Sequence, residues 1–163
     1  AAIAAAVTII YLIRQNAEQK KQTDFLLGNA KPTVDAIHHL RIPQVAVVRV
    51  VNWNRRPVIL HKVRMAHEGH THAFRRTIVW DRDDPKTKFV QRKLNGTTID
   101  PPIPMHGWKD RSGPPCEVRI DVLAYKNGRL STEWAGASVT IEMVVAGEDG
   151  EPLTIRCPIS IAQ

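Results

Sequence analysis

Soft and borderline metal ligands crowd into eight positions of the chain: Met65, His67, His70 and His72 all fall within MAHEGHTH. Imidazole nitrogens suit zinc, copper or nickel, and a thioether tilts the choice toward copper. Taking Glu68-Gly69 as the turn of a β-hairpin sets His67 opposite His70, Met65 opposite His72, Val63 opposite Phe74 and Ile59 opposite Ile78. The apolar residues then share one face, with Lys62 beside Arg75 and Arg64 beside Ala73 on the other. This register brings three imidazoles and a thioether to one tip, a candidate copper or zinc site. The spacing is that of strands, unlike HExxH, which needs two histidines one helical turn apart. Polar residues also gather at hairpin tips for solvation alone, which is the competing account.

No other pattern promises catalysis. The chain has no Gly-rich phosphate loop, no GxSxG elbow and no CxxC. Asp81, Asp83 and Asp84 are interrupted by Arg82 and run into Pro85, which describes an acidic turn. A calcium loop would need Gly at its sixth place and Glu at its twelfth. No catalytic residue is therefore expected, and no cofactor other than copper or zinc. Cys116 and Cys157 fall on inward-facing strand positions, as either a disulfide bridging two sheets or two buried thiols. The segment PPIPMHGWKDRSGPP presents Met105, His106 and Trp108 between prolines. Long loops bearing an exposed aromatic are common binding elements, so these three are expected to meet a partner.

Charge points to the nature of that partner. The 163 residues carry 23 Lys/Arg and 16 Asp/Glu, a net +7. Residues 49–93 hold 12 basic against 4 acidic side chains, whereas residues 94–163 hold 6 against 9. Lys62, Arg64 and Arg75 on the exposed hairpin face are thus expected to meet an anionic lipid surface, or next an acidic protein. Nucleic acid is the poorer partner, because no aromatics interleave the basic residues as a stacking platform.

These groups need a scaffold, and 163 residues with 43% hydrophobic side chains suffice for one ordinary domain. The opening run, Ala1 to Ile13, is uncharged. As a helix it spans about 20 Å, against about 30 Å of bilayer core. It is expected to be the C-terminal part of a transmembrane helix that starts outside the chain. Tyr11 and Arg14 stand where an interfacial aromatic and a snorkelling base belong, and Lys20, Lys21 and Lys31 follow. By the positive-inside rule this places the bulk of the chain on the cytoplasmic side. Ala1, Ala2, Ala4, Ala5 and Ala6 leave a narrow surface against which another membrane helix can pack.

Residues 14–43 form a juxtamembrane stalk, helical through Gln22, with Phe25, Leu26 and Leu27 at headgroup level. Gly28-Asn29 stops that helix, and Thr33 to Leu40 adds a short helical turn. From Gln44 onward the period becomes two. Strands are expected over residues 44–52, 58–67, 70–80, 89–94, 97–100 and 116–125. A strand through Val139, Ile141, Met143 and Val145 follows, then a last one through Leu153, Ile155, Cys157, Ile159 and Ile161. Residues 54–57 turn the chain, as do Asn95-Gly96, Asn127-Gly128 and residues 147–150, while 81–88 and 101–115 are loops. Trp53 and Trp80 sit at strand ends as core plugs. The fold class is mainly β: an antiparallel Ig-like β-sandwich over residues 44–163, preceded by one N-terminal transmembrane helix and a helical stalk.

The stretches TIIYLIRQNAEQKKQ and VVRVVNWNRRPVILHKVRM, the second with an Asn-containing turn before Arg-Pro-Val, give the first 65 residues a resemblance. They look like bacterial single-pass membrane proteins of unknown function that join a membrane helix, a polar stalk and a small β-sandwich. The resemblance implies architecture and no catalytic residue. The expected function is that of a non-catalytic accessory subunit of a larger membrane assembly, with other membrane subunits as partners. The alternatives are a membrane-anchored metal-binding protein using the histidines, and an anchored hydrolase.

Overall fold

The computed structural model describes residues 2–38, 41–81, 84–89, 94–95, 98–109, 113–146 and 152–161. Helix α1 (Ala2–Leu27) leads into β1 (Thr33–His38), β2 (Val45–Asn52), β3 (Val58–Ala66), β4 (Thr71–Asp81), β5 (Asp84–Phe89) and β6 (Leu94–Asn95). The chain continues through β7 (Thr98–Met105), β8 (Cys116–Lys126), β9 (Arg129–Leu130), β10 (Ser138–Val145), β11 (Leu153–Pro158) and β12 (Ser160–Ile161).

Alternation explains why these segments form strands. Cys116, Val118, Ile120, Val122 and Ala124 of β8 are buried while Arg119 is exposed. Val139, Ile141 and Met143 of β10 do the same. One sheet runs β12-β1-β2-β8-β4-β5 with β9 beside β8, and the other runs β11-β10-β3-β7-β6. Their ladders are antiparallel except for the short parallel pairing of β1 with β12. The inner faces meet in one core. Val48, Val50, Val118 and Ile120 come from the first sheet, and Leu60, Val63, Ile103, Ile141 and Met143 from the second. Each such side chain removed from water contributes about 1.5–3 kcal/mol. The chain is thus mainly β, with two sheets packed face to face.

Several expectations are corrected. A tight turn does form at Glu68-Gly69, where His70 N–H donates to the His67 carbonyl at 3.2 Å and Gly69 has φ +68°. The strands leaving it nevertheless do not pair as a hairpin. β3 pairs β10, from Ala66 with Ser138 to Val58 with Val145, and β4 pairs β8, from Thr71 with Tyr125 to Trp80 with Glu117. The two therefore lie in opposite sheets, so Lys62 does not stand beside Arg75 nor Arg64 beside Ala73. An arch lets both apolar faces look inward across one core, whereas a flat hairpin would leave them side by side in one sheet.

Thr33 to His38 is strand rather than a helical turn, because Val34 and Ala36 alternate inward and the segment pairs along β2. Residues 84–88, expected in a solvated loop, belong to β5 and pair with β4 at the sheet's edge, where Lys and Pro are tolerated. The proline loop begins later than expected. β7 runs on through Met105, with Leu60 opposite Ile103 and Val58 opposite Met105. Its prolines 101, 102 and 104 fall beyond the two residues of β6 that pair with it, so among the described residues no second ladder needs their missing N–H. The turn residues Gly96 and 147–150 lie outside the described residues, as do Asp83 and the side chains of Asp81, Asp84, Trp80, Phe25, Leu26 and Leu27.

Helix α1 is longer than the expected stalk, 26 residues or about 39 Å. Its apolar half ends at Ile13, and among the described residues no helix is long and apolar enough to cross a membrane. Every side chain from Val7 to Thr23 is exposed. Because consecutive residues point 100° apart, exposure of the whole run Ile9 to Ile13 means that no face of residues 7–13 packs on the sheets. The helix ends in a Schellman turn: Gly28 takes φ +75° and Asn29 N–H donates to the Asp24 carbonyl at 2.8 Å.

Candidate functional site

Strand directions divide the molecule into two poles. β2 begins at Val45 far from the helix and arrives at Asn52 beside it, eight residues or about 26 Å later. The helix pole gathers the end of α1, residues 52–57 and the Trp108 loop. Arg55 N–H donates to the Gly28 carbonyl at 2.6 Å, and Asn29 bridges Asn54. Trp108 N–H donates to the Asn54 carbonyl at 2.7 Å, and the Trp108 ring meets Trp53 edge-on at 5.4 Å. Buried between the sheets, Asn52 ties them together: its side-chain amide donates to the carbonyls of Arg56 at 3.1 Å, Met105 at 3.4 Å and His106 at 3.0 Å. Its side-chain oxygen accepts from Asn54 N–H at 3.0 Å. Gly107 lies so close to this turn that a Cβ would come within 1.9 Å of the Arg55 carbonyl oxygen.

The distal pole holds the histidines. Two connections change sheets there: residues 67–70, from β3 to β4, and residues 131–137, which lead into β10. Aromatic rings join them. His67 stacks on His70 with centroids 3.7 Å apart and planes 2° from parallel, and both His67 and His72 lie against Trp134, at 6.3 and 6.4 Å. Trp134 is buried and its indole N–H donates to the Pro43 carbonyl at 3.0 Å, which His38 Nε2 also approaches at 2.9 Å. His70 Nδ1 lies 2.8 Å from the Glu68 carbonyl, to which it donates, and Nε2 lies 3.2 Å from the Ser131 hydroxyl. Two ring nitrogens, His67 Nδ1 and His72 Nε2, are buried with no hydrogen-bond partner. Burial holds the His67 and His72 imidazoles below the usual histidine range, and the neighbouring imidazoles push each further down. Glu133 is held low chiefly by its hydrogen bond from Lys126.

The structure thus gathers His67, His70 and His72 by a different route from the one expected. The rings are not arranged around an ion. Ligand lone pairs lie in the ring plane, so stacked parallel imidazoles aim theirs side by side rather than at one point. Among the described residues no group of three or more His, Cys, Asp or Glu is placed to hold a metal ion. Met65 packs at the margin of the core, opposite Val139.

The expected partner residues are dispersed. Met105 is wholly buried and belongs to the core, which corrects its place in a docking loop; burial of a thioether in the sheet interface is packing. His106 and Trp108 stay at the helix pole, His106 exposed and Trp108 half-buried with its indole N–H on the Gly113 carbonyl at 2.8 Å. Lys62 and Arg64 both reach the Glu142 carboxylate, at 3.1 and 2.8 Å, which offsets their charge, and Arg75 is exposed on the other sheet. Tyr11, Arg14, Lys20 and Lys21 are exposed on α1, Lys21 pairing with Glu18 at 2.7 Å. Cys116 and Cys157 form no disulfide; burial pushes the Cys157 thiol up.

Asn52 and Trp134 are the residues that sequence reasoning missed. Asn52 occupies an inward position in a valine run, and a polar residue at a core position of a strand is the signal that could have found it. Trp134 lies in a strandless stretch with no periodic signal. No family model, curated protein or solved structure matches this chain.

Proposed function

We propose that this chain is a non-catalytic accessory subunit, joined to a membrane assembly by the apolar half of α1 and holding its β-sandwich, Ig-like in the broad sense of two packed sheets, on the cytoplasmic side. The observation that carries this reading is the bare apolar helix. Val7, Ile9, Ile10, Tyr11, Leu12 and Ile13 are 50–66% exposed with no part of the sheets covering them. Burying each such side chain would gain about 1.5–3 kcal/mol, so a run exposed on all sides calls for a covering medium. Tyr11 and Arg14 at the end of the run suit an interface, and Lys20 and Lys21 beyond it suit the cytoplasmic leaflet.

The polar half supports a spacer. Arg14 to Leu27 spans about 21 Å of helix, roughly twice the distance over which salt leaves charges in contact. An upright helix would therefore hold the sandwich clear of the lipid and free to meet the extrinsic part of a neighbouring subunit. The hydrogen bonds from Arg55 and Asn29 at the helix pole would carry the orientation of α1 into the sheets.

The test is flotation of the full chain with phosphatidylcholine vesicles, followed by a carbonate wash. The chain is expected to float and to resist the wash, and the variant Ile9→Asp/Ile13→Asp to stay at the bottom. A wild-type chain left in the soluble fraction would overturn the proposal.

A further inference from the structure

We propose that the distal pole is an acid-released clasp: protonation of His67 and His72 breaks the ring stack and frees the Trp134 segment, residues 131–137, from the β3–β4 connection. The geometry carries this. The two connections that close this end of the sandwich are joined by rings, with His67 between His70 at 3.7 Å and Trp134 at 6.3 Å. His67 Nδ1 and His72 Nε2 are buried with no hydrogen-bond partner, and in the imidazolium both ring nitrogens carry hydrogen. A proton placed on either creates a buried cationic donor with nothing to receive its hydrogen, which is costly enough that the ring must turn out to water. Protonation of His67 also sets a cation parallel to His70 at stacking distance, and His72 lies only 5.8 Å from His67.

The surrounding charges leave the outcome in place. Glu133 approaches His70 Nε2 at 3.8 Å and favours protonation of His67, but it is itself engaged by Lys126 at 2.8 Å, whose charge opposes it. The Ala135 backbone carbonyl also favours the His67 cation, and burial outweighs both. For His72 only opposing influences are resolved, burial first and then the His67 and His70 imidazoles. Glu68 offers its carbonyl to His70, and His38 is held on the Pro43 carbonyl beside Trp134.

The sign follows from linkage. Both imidazoles sit below the ordinary value of about 6.5 in the folded chain, so between the lowered values and that value the unfolded chain binds more protons. The clasp is intact above about pH 7 and weakens as pH falls through about 6.5, a range where carboxylates stay ionised.

Hydrogen exchange on the full chain at pH 7.5 and 5.5, corrected for intrinsic rates, tests this. Exchange over residues 131–137 is expected to rise at least about tenfold in acid while the Asn52 side of β2 stays protected. The variant His67→Gln/His72→Gln should lose that pH dependence. Titration of the wild-type imidazoles by NMR provides a readout that needs no variant. Values for His67 and His72 at or above about 6.5, or equal pH dependence of exchange at both poles, would overturn the proposal.

Discussion

At the scale of single residues, one polar side chain, Asn52, organises the interior more than any of the charged ones. Asn52, on the first sheet, places one amide where the carbonyl of Met105 in the second sheet and those of Arg56 and His106 in the adjoining connections converge. Asn52→Leu would keep the branched shape and strand the Asn54 N–H and those carbonyls, a cost of roughly 1–3 kcal/mol. Urea unfolding measures it, and a midpoint indistinguishable from the parent would mean the ties are dispensable. Glu142 is the opposite case. It meets Lys62 and Arg64 on partly exposed strands, with those cations 38% and 51% accessible. Glu142→Gln should change stability by less than about 1 kcal/mol, because solvent screens the pairs. Its larger effect is electrostatic: releasing two cations should lengthen retention of the chain on a cation-exchange column at low salt.

At the scale of elements, close approach of backbones decides the helix pole. A methyl group on Gly107 would collide with the Arg55 carbonyl, which is main chain and cannot swing aside. Gly107→Ala is therefore expected to cost about 1–3 kcal/mol and to separate Trp108 from Trp53, read as lost near-ultraviolet circular dichroism. Gly28→Ala differs in kind. It imposes a left-handed conformation on a residue with a side chain, costing about 1–2 kcal/mol, and the added Cβ would force the Arg55 side chain to shift. Unaltered thermal unfolding in both variants would contradict the packed junction.

The whole molecule behaves as a core with two separate ends. The exposed half of α1 contributes nothing to the packing of the sheets, so Ile9→Asp/Ile13→Asp should unfold within about 1 °C of the parent in vesicle-free buffer. A drop of several degrees would mean that the helix rests on the sheets after all. The distal histidines lie at the opposite end of the strands from the helix pole, about the length of an eight-residue strand away, so the acid response and the membrane response should be separable by mutation.

Much of this was legible in the chain itself. Alternation in Cys116–Lys126 and Ser138–Val145 specifies which residues face inward, because the period of a strand depends on local geometry alone. The stop at Gly28 is equally local. What the residues could not disclose was pairing. The turn at Glu68-Gly69 is compatible with both a hairpin and an arch, and only the availability of β8 and β10 as distant partners selects the arch. For the same reason the histidine cluster was visible as a spacing, while its stacking, its contact with Trp134 and its two unpartnered nitrogens arose from segments some sixty residues apart. Sequence alone determined the faces of the strands and the greasy end of the helix. Tertiary structure decided which faces meet, since burial is shared between surfaces that no single segment carries.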